Sequence, residues 1–390
     1  MADKSHPYPA PVYVIGGGPG GLATAAALAE RGIRTMVLER SGAVGASWRG
    51  HHDRLRLHTT RRRSALPGLP IPRSYGRWVA RDDLVRYLER YTDHHGLEVV
   101  TGVAVSRVER APGGAGWLLR ATGGRELVSP TVVVATGRNH TPRLPDWPGR
   151  DTYTGPLAHA RDYRAPGPYR GMDVLVAGAG NSGAEIAVDL AEGGAARVRL
   201  AVRTTPHILR RSAAGWSAQS ACALGRRLPR RLADGTARTL ARATVPDLAA
   251  QGLPRPATGL HSRARQGAYP VLDTGLIAAV RSGRVEVVAA VEALDGDKVL
   301  LADGERITPE AIIAATGYEP GLAGLVGHLA VLDDHGRPRA HGPRTVASAP
   351  GLHFTGYTDP VSGTLRELAI DARRIARAVA RTAAAGAGRG

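Results

Sequence analysis

Gly16-Gly17-Gly18-Pro19-Gly20-Gly21 and Gly178-Ala179-Gly180-Asn181-Ser182-Gly183 place glycines at the same three offsets, about 160 residues apart. Glycines so spaced suit the cradling of a phosphate pair. The first allows a tight turn, the second lets the backbone approach a pyrophosphate, and the third lets a helix pack closely on the strand before it. The anion would then rest on free N–H groups at a helix N-terminus. The two loops differ in the residue at the end of the next strand. Glu39 lies 18 residues after Gly21, where a carboxylate suits the hydroxyls of a ribose and repels a 2′-phosphate. The first loop therefore fits FAD or NAD. At the matching place after the second loop stand Arg203 and Thr204. A guanidinium pairs well with a phosphate, so the second loop fits NADPH.

Such loops work only between a strand and a helix. The pattern predicts a strand over 12–15, a helix over 20–31 stopped by Gly32, and a strand over 34–38. A second strand–glycine–helix unit begins at 173, with its helix running through Leu190 and a strand over 198–202. Residues 41–80 are irregular, and 82–95 reads as an amphipathic helix. Strands are expected over 103–108, 117–121, 131–135, 285–294, 299–301 and 311–315. Residues 204–270 are arginine-rich and should hold helices and loops, and a last helix should cover 364–383. The fold class is α/β, with two Rossmann-like dinucleotide-binding domains. The FAD domain would comprise 1–164 and 308–390, with the NADPH domain inserted over 165–307.

Composition narrows the classes. Apolar residues make up 43% of the 390, too many for a disordered chain. Cys222 is the single cysteine, which excludes an internal disulfide and the dithiol a disulfide reductase needs. The net charge of +18 is almost all arginine, since Lys4 and Lys298 are the only lysines. A nucleic-acid binder predicts clustered basic residues with interleaved aromatics, whereas here the charge is dispersed and Phe354 is the only phenylalanine, so no nucleic-acid partner is expected. No apolar run approaches the roughly 18 residues that cross a bilayer. The opening MADKSHPYPAP lacks the apolar stretch of a secretory signal, so a cytoplasmic protein is expected. A homodimer is compatible with the sequence.

Between the loops, Tyr153-Thr154-Gly155-Pro156-Leu157-Ala158-His159-Ala160-Arg161-Asp162-Tyr163 resembles the flavin-containing monooxygenase fingerprint F-x-G-x-x-x-H-x-x-x-[F/Y]. Ala135-Thr136-Gly137 and Ala315-Thr316-Gly317-Tyr318 resemble the family's two inter-domain hinges, and Gly45-Ala46-Ser47-Trp48 its segment after the ribose-binding acid. Segments 203–211, 252–259, 270–275 and 283–288 are similar to the plant YUCCA-type branch. The resemblance spans roughly residues 11–380. Baeyer–Villiger relatives usually end the fingerprint in Trp, so Tyr163 leans away from them.

The resemblance implies FAD and NADPH as cofactors and O2 plus a small organic molecule as substrates. In this family NADPH reduces the flavin, and a flavin peroxide then delivers one oxygen atom. The acceptor would be a soft nitrogen or sulfur, or a carbonyl or 2-oxo acid. The resemblance adds Arg40, Trp48, Val103 and Leu365 to the cofactor-binding set, along with the hinge residues. His58, in Leu57-His58-Thr59-Thr60-Arg61, stands where many members place an Asn over the flavin, and YUCCA-type members also have His. His159 is expected to tie the hinge near the NADPH site. Ser362-Gly363-Thr364-Leu365 would bring the last helix's N-terminus toward the flavin pyrimidine, where backbone N–H groups stabilise negative charge. Trp48, Trp78 and Trp216 are candidates for a substrate pocket, and Arg61, Arg62 and Arg63 for a substrate carboxylate.

The competing class is a flavoprotein reductase that passes electrons without oxygenation, since the fold supports both. The fingerprint favours the monooxygenase. Arg203→Ala should raise the KM for NADPH about ten- to a hundredfold, the value of a lost charge-assisted hydrogen bond, and leave the KM for NADH nearly unchanged. Equal effects on both would overturn the 2′-phosphate role.

Overall fold

The computed structural model describes residues 10–114, 116–213, 216–217, 230–265, 269–358 and 362–387, so Cys222 lies outside the described residues. The chain forms two compact units. The first comprises Met1–Arg49, Thr59–Thr141 and Tyr318–Gly390, and the second Gly50–His58 and Pro142–Gly317.

In the first unit a five-stranded parallel sheet runs in the order Leu352–Phe354, Val132–Val134, Val12–Ile15, Thr35–Leu38, Val99–Val100. These strands are short and apolar, as a sheet covered on both faces requires. Tyr13, Ile15, Val132 and Phe354 share one cluster with Val108, Trp117 and Leu119 of an antiparallel three-stranded sheet. The helix Pro19–Ala29 covers the opposite face and packs on the terminal helix Thr364–Ala387. Wedged between sheet and helix, it is buried all round except at Ala29. That explains an Ala- and Leu-rich sequence with almost no amphipathic contrast.

The irregular stretch after residue 59 is pinned by the helix Arg81–His94. Tyr87 donates to the Leu69 carbonyl at 2.7 Å and accepts from the Leu66 N–H at 2.8 Å. Tyr91 donates to the Pro67 carbonyl at 2.7 Å. Backbone groups with no ladder partner are thereby satisfied by side chains.

The second unit repeats the architecture. Its parallel sheet has the order Glu286–Ala289, Arg197–Val202, Asp173–Ala177, Ala311–Ala314, Leu157–His159. Alternation along the strands splits its side chains. Val174, Val176, Leu200 and Ile313 face the helix side, whereas Leu175, Ala201 and Ile312 face a layer built from Leu294, Val299 and Leu301.

Several elements differ from expectation. The single strand expected over 285–294 is two, because Glu286–Ala289 pairs in parallel with Arg197–Val202 while Val291–Asp295 turns into an antiparallel pair with Lys298–Leu301. Within 204–270 the helices Arg230–Thr244 and Leu260–Arg265 are present, but so is the strand Ile208–Arg210, which pairs with Val271–Asp273. The second unit also begins earlier than 165, because Leu157–His159 adds to its sheet, and it extends to Gly317. Among the described residues no helix is long and apolar enough to cross a membrane.

Tyr91→Phe should lower the unfolding free energy by about 1–3 kcal/mol, the cost of stranding a buried carbonyl. Denaturant melts of the pair measure it, and equal midpoints would mean that Tyr91 does not anchor the loop.

Candidate active site

The two glycine loops have matching geometry. Gly16 has φ +112° and Gly178 φ +114°, a region that side-chain-bearing residues rarely enter. A Cβ on either would stand 2.6 Å from a carbonyl oxygen, that of Ala135 or Ala315 respectively. A Cβ on Gly21 or Gly183 would strike the carbonyl of Gly16 or Gly178. The middle glycines behave oppositely: a Cβ on Gly18 or Gly180 meets nothing within 4 Å. Each caps its helix, Pro19–Ala29 or Asn181–Glu192, without any side-chain hydrogen bond to the N-terminal turn. Open space beside uncapped N–H groups fits a pyrophosphate at both places.

Around the first loop, Glu39 is buried at 7% exposure. One carboxylate oxygen accepts from the Gly17 N–H at 2.7 Å and the other from the Ser41 N–H at 2.8 Å. The glycine loop and the strand end that would hold the ribose are thus fixed to each other. The Val103 N–H donates to the Glu39 carbonyl at 2.9 Å. Arg40 reaches the His140 ring at 2.7 Å, and Gly20 leaves room for Leu368 of the terminal helix. Trp48 is half-buried in the short helix Ala46–Arg49.

Around the second loop, Arg203 and Thr204 are exposed just past the strand Arg197–Val202. The Asn181 side chain is spoken for: it donates to the Pro270 carbonyl at 3.1 Å and accepts from the Leu272 N–H at 2.9 Å. Asn181 therefore ties the glycine loop to the strand Val271–Asp273, and Ser182 beside it is exposed.

The fingerprint residues form a brace inside the second unit. Tyr153 donates to the Pro309 carbonyl at 2.9 Å. His159 donates from Nε2 to the Gly317 carbonyl at 3.1 Å, while its Nδ1 accepts from the Arg161 N–H at 3.0 Å. Both contacts require the neutral Nε2–H form, and burial, only partly offset by the Gly317 bond, pushes the imidazole pKa down in agreement. His159 thus ties the fingerprint to the segment Ala315-Thr316-Gly317. Tyr163 is 1% exposed and donates to the Asp189 carboxylate at 2.8 Å. Burial, with that carboxylate, raises its phenol pKa.

Asp189 belongs to an acidic stripe that spacing in the sequence did not single out. Glu185, Asp189 and Glu192 recur at helical spacing on Asn181–Glu192 and meet the segment Gly50–His58 of the same unit. Glu185 binds two imidazoles, His52 Nε2 at 3.2 Å and His58 Nε2 at closer range. Arg54 reaches both Asp189, at 3.6 Å, and Glu192. The Glu185 side chain is only 10% exposed. Burial alone would raise its pKa, but the hydrogen bonds from His52 and His58 outweigh this and hold it well below the usual carboxylate range. Arg211 donates to the Leu57 carbonyl, fixing the backbone just before His58.

In the first unit Thr136 Oγ1 and the Tyr357 hydroxyl are hydrogen-bonded at 2.7 Å, joining the segment Ala135-Thr136-Gly137 to the one before the last helix. Burial raises the Tyr357 pKa. Gly137 and Gly317, at the ends of the two Ala-Thr-Gly segments, both take positive φ, and Thr316 Oγ1 donates to the Arg143 carbonyl at 2.5 Å. Leu365 is buried in the first turn of the last helix. Of the candidate pocket residues, Trp78 is half-buried with the Arg77 guanidinium 5.3 Å from its ring, and the Trp216 side chain lies outside the described residues. Arg61 spends one guanidinium nitrogen on the Ile71 carbonyl at 2.8 Å, whereas Arg62 is exposed.

Two dinucleotide cradles, one followed by a buried acid and the other by an exposed arginine, define a flavoprotein of the two-nucleotide class. Residues 13–216 match the pyridine nucleotide-disulphide oxidoreductase family. An indole-3-pyruvate monooxygenase, YUCCA1 of Oryza sativa subsp. japonica, is 36% identical over 349 residues, covering 88% of this chain and 86% of that protein. A probable indole-3-pyruvate monooxygenase of Arabidopsis thaliana, also YUCCA1, is 33% identical, covering 88% and 84%. The flavin-containing monooxygenase of Stenotrophomonas maltophilia shares the fold with a TM-score of 0.73 at 24% identity, covering 97% of this chain and 98% of that one. The chain belongs to the flavin-containing monooxygenases, near the YUCCA-type branch, within the pyridine nucleotide-disulphide oxidoreductases. It is an FAD- and NADPH-dependent monooxygenase.

Gly18→Val should fold but purify without flavin colour, because its side chain enters the space of the ligand and not of the protein. Gly21→Ala should instead lose folded protein, since its methyl group meets a backbone carbonyl. Flavin absorbance and circular dichroism separate the two, and full FAD retention by Gly18→Val would remove the first cradle.

Proposed function

We propose that this monooxygenase acts on a 2-oxo acid of the indole-3-pyruvate kind, with the first unit holding FAD and the second NADPH. The observation that carries the substrate class is the 36% identity to an indole-3-pyruvate monooxygenase across nearly the whole of both chains. The reaction balances as 2-oxo acid, O2, NADPH and a proton giving the shortened acid, CO2, NADP⁺ and water.

The chain's own residues then divide the work. Gly18 and Gly180 admit the two pyrophosphates, with Pro19 and Ser182 in the helix turns beside them. Glu39 holds the ribose of FAD, and Arg203 with Thr204 holds the 2′-phosphate of NADPH. Arg40, Trp48, Val103, Ala135, Thr136, Gly137, Thr316, Gly317 and Leu365 complete the cofactor contacts. When bound, FAD would supply the acceptor for the hydride of NADPH and the chemistry that activates oxygen. By the family resemblance His58 would serve at the flavin, where an imidazole held in one orientation would help to keep stray protons from the activated oxygen. Arg62 is the arginine of its run open to a substrate carboxylate.

The test supplies NADPH and O2 with indole-3-pyruvate, a thioether or cyclohexanone, and measures CO2 and hydrogen peroxide against NADPH consumed. Equimolar CO2 with the 2-oxo acid is expected. Oxidation of the thioether or the ketone alone would replace the substrate class, and peroxide alone with all three would favour a reductase or oxidase.

A further inference from the structure

The helix Asn181–Glu192 should be apolar where it turns inward, and Ile186, Ala187, Val188 and Leu190 are buried as expected. Glu185 breaks that pattern. Burying an ionised carboxylate is costly unless donors replace its water. Here the donors are the Nε2 atoms of His52 and His58, one to each carboxylate oxygen. A fold that needed only packing would place an aliphatic side chain at this position.

We propose that Glu185 is the positioning residue of His58, and that His52 is the second anchor that holds Glu185 in place. The proposal rests on the reading of His58 as the residue against the flavin. An ionised carboxylate only accepts, so it requires a proton on Nε2 of each imidazole. His58 thereby presents Nδ1 on the side away from Glu185. Its side chain is 27% exposed, enough for an untethered ring to rotate and exchange tautomers. The Leu57 carbonyl held by Arg211 fixes the backbone, and Glu185 fixes the ring. Glu185 also stands one turn beyond Asn181, on the helix whose N-terminus forms the second cradle. The orientation of His58 is therefore set by the helix that binds the nicotinamide nucleotide.

The experiment compares wild type, Glu185→Gln, His58→Ala and the double variant, each checked for FAD content and melting temperature. Peroxide released per NADPH is measured with substrate present, together with the KM for NADPH. Separately, ¹⁵N spectra of the imidazoles are recorded on protein without cofactors. Glu185→Gln should raise the peroxide yield at least about fivefold, by analogy with other residues that orient a functional imidazole. The KM for NADPH should stay within about twofold. Adding Glu185→Gln to His58→Ala should change nothing more. The spectra should show Nε2 of His58 protonated in wild type and a mixture of tautomers in Glu185→Gln. Additive effects, a rise in the KM alone, or unchanged tautomers would overturn the role of Glu185 while leaving His58 at the flavin. An unchanged peroxide yield in His58→Ala would overturn the reading of His58 itself. Should Glu185→Gln not fold, Glu185→Asp keeps the charge, withdraws it from both rings, and is read in the same way.

Discussion

Each unit depends on a helix starting almost in contact with the strand that feeds it. At Gly16 with Gly21, and at Gly178 with Gly183, the backbone folds so tightly that one methyl group would collide with a carbonyl. This closeness aims the helix N-terminus at the loop and leaves Gly18 and Gly180 facing open space. Anion binding then needs no charged side chain, because the peptide dipoles supply the field. The residues that we propose discriminate between the nucleotides, Glu39 and Arg203, stand one strand away.

Buried polarity elsewhere is paired with care. The side chains of Tyr153, His159 and Tyr163 each reach a different part of the second unit: the Pro309 carbonyl, the Gly317 carbonyl and Asp189 of the helix Asn181–Glu192. A motif that reads as a signature is physically a three-point brace. The same helix carries Glu185, Asp189 and Glu192 toward His52, Arg54 and His58. The bonds to Glu185 serve orientation more than stability, since a buried charge that finds partners recovers little more than its desolvation cost.

What was legible in the sequence was local. The glycine loops, the acid after the second strand and the arginine after its counterpart each follow from spacing within one βαβ unit. The central strands of both sheets were readable from their apolar runs, whereas the edge strands Leu352–Phe354, Val99–Val100 and Leu157–His159 were too short to stand out. The break near Ala290 was not, because nothing in an alternating pattern says which partner a strand chooses on either side. Glu185 was missed for a similar reason. An acid in a helix reads as a solvent-facing residue, and its partner His58 is 127 positions away. The signal available was its place among Ala184, Ile186 and Ala187, all buried. Asn181 shows the converse: it sits inside a nucleotide motif, yet its amide is spent on the backbone of residues 270–272.

Because Gly50–His58 belongs to the second unit, that unit is not a portable piece of chain. A fragment spanning 142–317 looks in sequence like a self-sufficient nucleotide-binding cassette. Transplanted alone, it would carry three carboxylates on one helical face with their partners His52, Arg54 and His58 left behind, and like charges at that spacing repel. The cassette and its cover are coded on opposite sides of a long stretch of the other unit. Recombination that exchanges whole nucleotide units between relatives must therefore take two separate pieces of gene, or accept a helix whose charges no longer match their surroundings.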